Sequence, residues 1–361
     1  MSDGHDGVWR VVDTGLRPAA QHIAWNRALL EARQAEEIPS TLRFLRFKPC
    51  ALLGYHQSAE QELNLDYCRE HGVEVQRRIT GGGAIYFDEG QLGWELYLHR
   101  RDVGTGDMQA IARRICHAAA AAISALGVDA KFRPRNDIEV GGRKVSGTGG
   151  AFDGDALLYQ GTLLVEFDVA RMLRVLRIPA EKLSDKAIAS ARDRVVSLAT
   201  LLGRVPPFED VRRNIRRAFE DEFGIVFDDA EPGLSEEARH RAALAEIDHP
   251  DWVHLVARPA ADLPILDAMQ KFEGGLLRAS LSFDRTTSLI RQVWFTGDMF
   301  VNPPRTINDL EAALRDITAD RLEGTVRAFF AGRSVDMLSL KPDDFITVVR
   351  LALDARPIIL P

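Results

Sequence analysis

Apolar positions along the first half of the chain follow two alternating rhythms. Residues 42–53, LRFLRFKPCALL, predict two short strands interrupted at Pro49. Gly72 introduces VEVQRRI, a β-branched run that ends at three consecutive glycines, and AIYFD and LGWELYL predict two further strands. The period then changes. Met108, Ile111, Ile115, Ala119, Ala122 and Leu126 fall on one helical face, with Asp107 placed to cap the helix and Gly127 to end it. DIEVGGRKVSG predicts two short strands about Gly141-Gly142, a pair that tolerates the positive φ angles of a tight hairpin. LLYQGTLLVEF predicts another strand, and Val211, Ile215, Phe219 and Phe223 form a second helical stripe that Gly224 stops. Further on, LLRASLSF and LIRQVWF predict a hairpin across DRTTS. Thr306-Ile307-Asn308-Asp309 opens a helix with a capping-box-like pattern. Between these halves lies DDAEPGLSEEARH, polar and punctuated by Pro232 and Gly233. It marks a division into residues 1–230, a linker at 231–250 and a small α+β domain at 251–361.

Length agrees with that division, since 361 residues suit two domains. The 46% hydrophobic and 27% charged content is that of a globular chain. A net charge of −7 argues against a general nucleic-acid binder while leaving room for a local basic pocket. The start, MSDGHDGVWR, lacks the basic and then apolar segments of a signal peptide, and no apolar run approaches the ~18 residues of a membrane span. Cys50, Cys68 and Cys116 are far apart and form no CxxC. A cytoplasmic protein without membrane or nucleic-acid partners is expected. The nine histidines make no HxxxH or HExxH pattern, which excludes the commonest zinc signatures.

Chemistry concentrates in two segments. In Arg77-Arg78-Ile79-Thr80-Gly81-Gly82-Gly83-Ala84-Ile85-Tyr86, three residues without Cβ atoms let backbone N–H groups approach an anion, beside a guanidinium suited to phosphate or carboxylate. A flexible turn between strands accounts for the same glycines. In Arg135-Asn136-Asp137-Ile138 and Arg143-Lys144-Val145-Ser146-Gly147-Thr148-Gly149-Gly150, strand alternation sends Lys144 to the face opposite its neighbours. A solvated surface lysine is the plain alternative. No GxxxxGK[ST] and no GxGxxG before a helix is present, so a nucleotide site must be of another kind.

Taken together, RRITGGGAIYFD and RNDIEVGGRKVSGTGG resemble the lipoate–protein ligase A family, whose RRxSGGGAVxHD, RNDL and RKVSGSA segments occur in this order at similar spacing. The likeness continues through GTLLVEF and SARDRVVSL, and through KFEGGLLRASLSF and LIRQVWFTGD into the small C-terminal domain of two-domain members. The resemblance implies a biotin/lipoate-ligase-like α/β catalytic domain with mixed sheets plus a small α+β domain. It implies a two-step reaction in which a lipoate carboxylate attacks the α-phosphate of ATP, and a carrier lysine then attacks the lipoyl-adenylate. By the family pattern, Lys144 bridges the acyl oxygen and the α-phosphate, and Arg78 holds phosphate. Thr80, Gly81, Gly82, Gly83, Ala84, Ile85 and Tyr86 line the nucleotide, with Asn136 and Asp137 positioning it. Gly147, Thr148, Gly161 and Thr162 line the lipoyl group, and Asp137 is the candidate for magnesium carried by ATP. The implied partner is a lipoyl-accepting carrier, either an E2 lipoyl domain, an H protein or a similar protein. A basic docking surface for it is expected near Arg77 or Arg133.

Departures occur at Phe87, Tyr159-Gln160 and Asn26, where relatives often have histidine, a histidine pair and glutamate. They bear on the acyl tunnel and on carrier choice. Three other readings compete. An octanoyl- or lipoyltransferase needs an exposed cysteine nucleophile, whereas Cys116 falls on an apolar helix face. Biotin ligase shares the adenylation, but its GRGRxG loop is absent. A carrier-binding or lipoate-sensing homologue that no longer activates its ligand is the non-enzymatic alternative. The C-terminal domain is expected to close over the adenylate, shielding it from water.

Overall fold

The structure is a computed structural model, and it describes residues 8–134, 136–177, 192–256 and 264–355. In chain order the first strands are β1 (Val8–Arg17), β2 (Thr41–Phe47), β3 (Cys50–Leu53), β4 (Glu74–Arg77), β5 (Ile85–Phe87) and β6 (Gln91–His99). They are followed by β7 (Ala130–Arg133), β8 (Asp137–Val140), β9 (Arg143–Asp153), β10 (Ala156–Leu164) and β11 (Val226–Asp229). Pro49 separates β2 from β3 as expected. Asp107 caps the Met108–Ser124 helix by accepting the Gln109 N–H at 2.9 Å. Gly224, in the left-handed region at φ 65°, ends the Phe208–Phe223 helix. Gly141 and Gly142, at φ 57° and 76°, turn the β8–β9 hairpin.

Contacts divide the chain into two units. Unit 1 comprises residues 1–52, 63–76 and 85–249; unit 2 comprises residues 53–62, 77–84 and 250–361. Unit 1 is built on an eight-stranded mixed sheet ordered β11-β1-β2-β6-β10-β9-β8-β7. β1 runs parallel to both of its neighbours, and the β2–β6 and later pairings are antiparallel. Side-chain alternation along β6 explains the layering. Leu92, Trp94, Leu96 and Leu98 join the core beneath the helices Met108–Ser124 and Phe208–Phe223. Glu95 and Tyr97 face the opposite way, toward the Ala19–Gln34 helix, where Asn26 donates to Glu95 at 2.7 Å and to Tyr97 Oη at 3.0 Å.

That second face carries a fully buried polar network. Arg43 donates to Glu95 at 2.8 Å and to Nδ1 of His22 at 2.7 Å. Because a guanidinium only donates, Nδ1 accepts, the proton sits on Nε2, and Nε2 donates to the Arg46 carbonyl at 2.7 Å. Burial and the neighbouring Arg43 hold the His22 pKa well below the ordinary imidazole range, so the ring stays neutral. Asn26 fits here because Glu95 already supplies the carboxylate for Arg43.

Packing also explains Gly161. A Cβ there would lie 2.2 Å from Cζ2 of Trp94. Gly161→Ala is expected to lower unfolding stability by about 2 kcal/mol through overpacking, measured by urea denaturation. A change below about 0.5 kcal/mol would contradict this reading of the packing.

Within residues 231–250, where composition suggests a linker, Leu234–Ile247 form a helix of unit 1 packed on the Ala19–Gln34 helix. Its polarity is deceptive because Glu236 is itself buried, paired with Arg10, which donates to it at 3.0 Å through Nη1. Glu236 also accepts the Gly233 N–H at 2.7 Å, closing the first turn.

Unit 2 has a four-stranded antiparallel sheet ordered Ile265–Phe272, Gly275–Asp284, Leu289–Gly297 and Ile317–Thr318. The helices Thr306–Ala313 and Pro342–Asp354 pack on it, and Leu322–Ala331 packs on the latter. Phe295 and Phe345 meet edge to face in its core at 5.1 Å. The capping-box expectation at Thr306 is corrected. Arg305 occupies the cap without a side-chain bond, and the Thr306 N–H donates to the Pro303 carbonyl.

Candidate functional site

The β8–β9 hairpin places Lys144 by its backbone first. Between Ile138 and Glu139 the register slips, so Val145 is the extra residue of a bulge. β10 pairs with β9 only from Ser146 onward, which leaves Lys144 beyond its end. There residues 194–196 take over: the Lys144 N–H donates to the Arg194 carbonyl at 2.8 Å, and the Val196 N–H donates back to Lys144 at 2.9 Å. The end of the SARDRVVSL segment therefore backs the lysine; Ser190 and Ala191 lie outside the described residues.

The side chain curls back along its own strand. Lys144 Nζ lies 2.6 Å from Oδ1 of Asp137, and a Cβ on Gly147 would fall 2.7 Å from that nitrogen. Gly147 is thus the residue that lets the amine pass. The other oxygen, Oδ2, accepts Arg133 at 2.7 Å, and Arg133 also pairs with Glu139 at 3.2 Å. The Lys144 side chain is 37% exposed, so the amine is held yet reachable.

Around it, several of the expected site residues are bonded to one another. Asn136 Nδ2 donates to the Thr148 carbonyl at 2.7 Å, and the Thr148 N–H donates to the Asn136 carbonyl at 2.8 Å. The Thr148 hydroxyl donates to that same carbonyl at 3.0 Å, lies 2.9 Å from Tyr159 Oη and 3.2 Å from Cys116 Sγ. Thr162 donates to the Gly147 carbonyl at 3.3 Å. Unit 1 thus brings together Asn136, Asp137, Lys144, Gly147, Thr148, Gly161 and Thr162 on adjacent strands. In the same unit Ile85 is exposed while Tyr86 is buried, with the Arg171 guanidinium 5.7 Å from its ring centroid. Phe87 packs on Phe47 at 4.7 Å and offers no polar group. Tyr159 Oη ties the strand to Cys116, 3.3 Å from its Sγ.

Arg78, Thr80, Gly81, Gly82, Gly83 and Ala84 belong to unit 2. There the glycines serve close approach of chain to chain. A Cβ on Gly81 would lie 2.3 Å from the Met299 carbonyl oxygen, and the Gly82 N–H, at φ +96°, donates to that carbonyl at 3.3 Å. Arg78 Nη2 braces the loop by donating to the carbonyls of Gly81 at 3.0 Å and Gly83 at 2.9 Å. Burial pulls Arg78 down to about 10, which leaves it charged at neutral pH.

A docking surface near Arg77 is overturned, because that side chain is fully buried. Within unit 2 it donates to the carbonyls of Gly54, Tyr55, Gln57, Trp252 and Val253 at 2.6–3.0 Å. In return, Trp252 Nε1 donates to the Arg77 carbonyl at 3.0 Å. Arg133 remains exposed but is matched by two acids. Sequence patterning does not separate Arg77 from Arg78: both are buried, and only the assembled unit shows that Arg77 binds carbonyls within residues 54–57 and 252–253 while Arg78 braces the glycine loop. The Cys116–Thr148–Tyr159 cluster was equally unmarked, being joined only by pairing across β9, β10 and a helix.

Magnesium at Asp137 does not fit this arrangement. Both carboxylate oxygens are engaged by cations, and no group of three or more metal-ligating side chains occurs among the described residues. No described helix is long and apolar enough to cross a membrane.

Comparison with known proteins places these features. Residues 18–220 match the family of the lipoyl protein ligase A/B catalytic domain. Lipoate-protein ligase A subunit 1 of Thermoplasma acidophilum is 31% identical over 215 residues, covering 57% of this chain and 80% of the relative. Octanoyltransferase LipM of Symbiobacterium thermophilum is 30% identical over 241 residues, covering 60% and 87%. Among solved structures, lipoate-protein ligase A bound with ATP aligns at TM-score 0.61 and 25% identity, covering 69% of this chain and 99% of that one. A bi-partite lipoate protein ligase, solved in a study of it and its E2 lipoyl domain from Thermoplasma acidophilum, gives 0.61 at 27%, covering 70% and 98%. LipL1 of P. falciparum in complex with lipoate gives 0.73 at 17%, covering 96% and 99%, and shares the fold across both units.

Proposed function

This chain belongs to the lipoyl protein ligase A/B catalytic domain family, and from that membership we propose that it activates lipoate with ATP and transfers the lipoyl group to a lysine of a carrier protein. In the first step a carboxylate oxygen of lipoate bonds to the α-phosphorus and pyrophosphate leaves. In the second, the carrier's ε-amine attacks the acyl carbon of the mixed anhydride, AMP leaves with the bonding pair, and the amine loses a proton. Both steps concentrate negative charge on oxygen. A fixed cation stabilises that charge if it is reachable and already oriented. Lys144 meets both requirements: its backbone is anchored on residues 194–196, and Asp137 holds its ammonium in place until an anion competes for it. That reachable, preoriented amine is the observation that carries the reading.

Relatives in this family include octanoyltransferases, which makes the cysteines informative. A thioester mechanism needs an accessible thiolate. Cys50, Cys68 and Cys116 are all buried, and burial raises each thiol's pKa, to about 11 for Cys68. These environments favour adenylation over acyl transfer through sulfur. The carrier is proposed from the ligase solved in a study with its E2 lipoyl domain. Incubating the chain with ATP, lipoate and a panel of apo-carriers should give a lipoyl mass shift on one of them, with AMP and pyrophosphate released. Cys116→Ser should retain that activity within about threefold. Transfer that runs without ATP from an acyl-carrier donor, and stops in Cys116→Ser, would replace the ligase reading with the transferase.

A further inference from the structure

Within unit 2 a cavity of about 250 Å³ opens between the segment 53–62, the sheet and the Thr306–Ala313 helix. Its lining includes His56, Tyr55, Trp294, Asn308 and Glu311. His56 is 4% exposed, and its ring makes no hydrogen bond among the described residues; its contact is edge to face with Tyr55 at 5.1 Å. Burial and the charge of Arg77 bring its pKa to about 4, so at neutral pH the imidazole is uncharged and presents one accepting nitrogen.

Glu311 accepts the Phe295 N–H at 2.7 Å on Oε1, and no cation pairs with it among the described residues. Several charged groups on the surrounding elements are matched elsewhere, and the Asp267 carboxylate on the sheet accepts the hydroxyl of Ser280, which lines the cavity. On its own helix Asp309 pairs with Arg305, and on the sheet Arg291 pairs with Asp284 and Asp316. Arg278 pairs with Glu62, and Glu60 with His254. Burial without a counter-charge pushes the Glu311 carboxyl up to about 7. A carboxyl so placed ionises more readily when a positive group joins it. Trp294 and Tyr55 also line the cavity, and an aromatic ring whose face meets a ligand favours the same sign of charge.

We propose that this cavity binds a small organic cation, a primary ammonium or amidinium bearing a short apolar portion, with Glu311 as counter-ion and His56 as hydrogen-bond acceptor. Binding draws a proton off Glu311. Titration of the full chain with n-butylammonium and benzamidinium, read by intrinsic fluorescence, should therefore show affinity rising about tenfold per pH unit below pH 7 and levelling above it. Glu311→Gln keeps the acceptor for Phe295 and removes the charge. At pH 8 it should weaken both cations at least about tenfold and flatten the pH profile, and n-butanol should bind the unsubstituted chain less tightly than n-butylammonium. Unchanged affinity in Glu311→Gln, equal binding of butanol, or no response to either cation up to about 50 mM would overturn the proposal. If Glu311→Gln fails to fold, the pH profile and the butanol comparison on the unsubstituted chain decide it alone.

Discussion

Lys144→Ala is expected to lower lipoyl transfer to carrier by about a thousandfold or more while circular dichroism and the denaturation midpoint stay near those of the unsubstituted chain. The magnitude is that of removing a preoriented charge from a site where negative charge develops in the reaction. Stability should change little because the side chain is more than a third exposed and its pairing with Asp137 lies near solvent. Lys144→Arg should not rescue activity. A planar guanidinium places its charge farther along the chain and cannot pass over Gly147 as a compact ammonium does. Pyrophosphate release and carrier mass shift read the effect; near-normal turnover in Lys144→Ala would remove the lysine from the reaction.

The second large effect concerns folding. Arg77→Met should destabilise the chain by more than about 4 kcal/mol, because the side chain is fully buried and methionine satisfies none of the five carbonyls it serves. Arg77→Lys should recover only part of this, since an ammonium has three donors where the guanidinium has five. Chemical denaturation followed by far-UV circular dichroism and tryptophan fluorescence measures both. An Arg77→Met chain within about 1 kcal/mol of the original would show that water replaces the guanidinium at little cost.

These two arginine and lysine positions show where sequence reasoning reaches and where it stops. Local signals were legible because their physics is local. Asp107 caps its helix, Gly224 ends another, and Gly141-Gly142 turn the hairpin that carries Lys144, each through bonds within a few residues. Family motifs located Lys144, but its pairing with Asp137 across the hairpin depends on a bulge that no residue pattern announced. The helix Leu234–Ile247 was hidden behind polar composition, because its buried acid is matched by Arg10, 226 residues away in sequence. The neighbours of Thr148 and Gly161, a hydroxyl–thiol cluster and the Trp94 indole, are not legible in the sequence, because only the assembled sheet creates them. Asn26 and Tyr159 each complete a buried polar group in this chain instead of leaving one stranded.

The Lys144 main chain is clamped from two sides, by the hairpin partner and by residues 194–196. Its amide proton should then be among those slow to exchange with deuterium, while the long side chain beyond it is tethered only at its tip, by Asp137. If Lys144 acts as proposed, meeting a substrate asks only for torsional rotation about four carbon bonds, with no fraying of the strand, so the amine can be redirected without loosening the sheet that carries it.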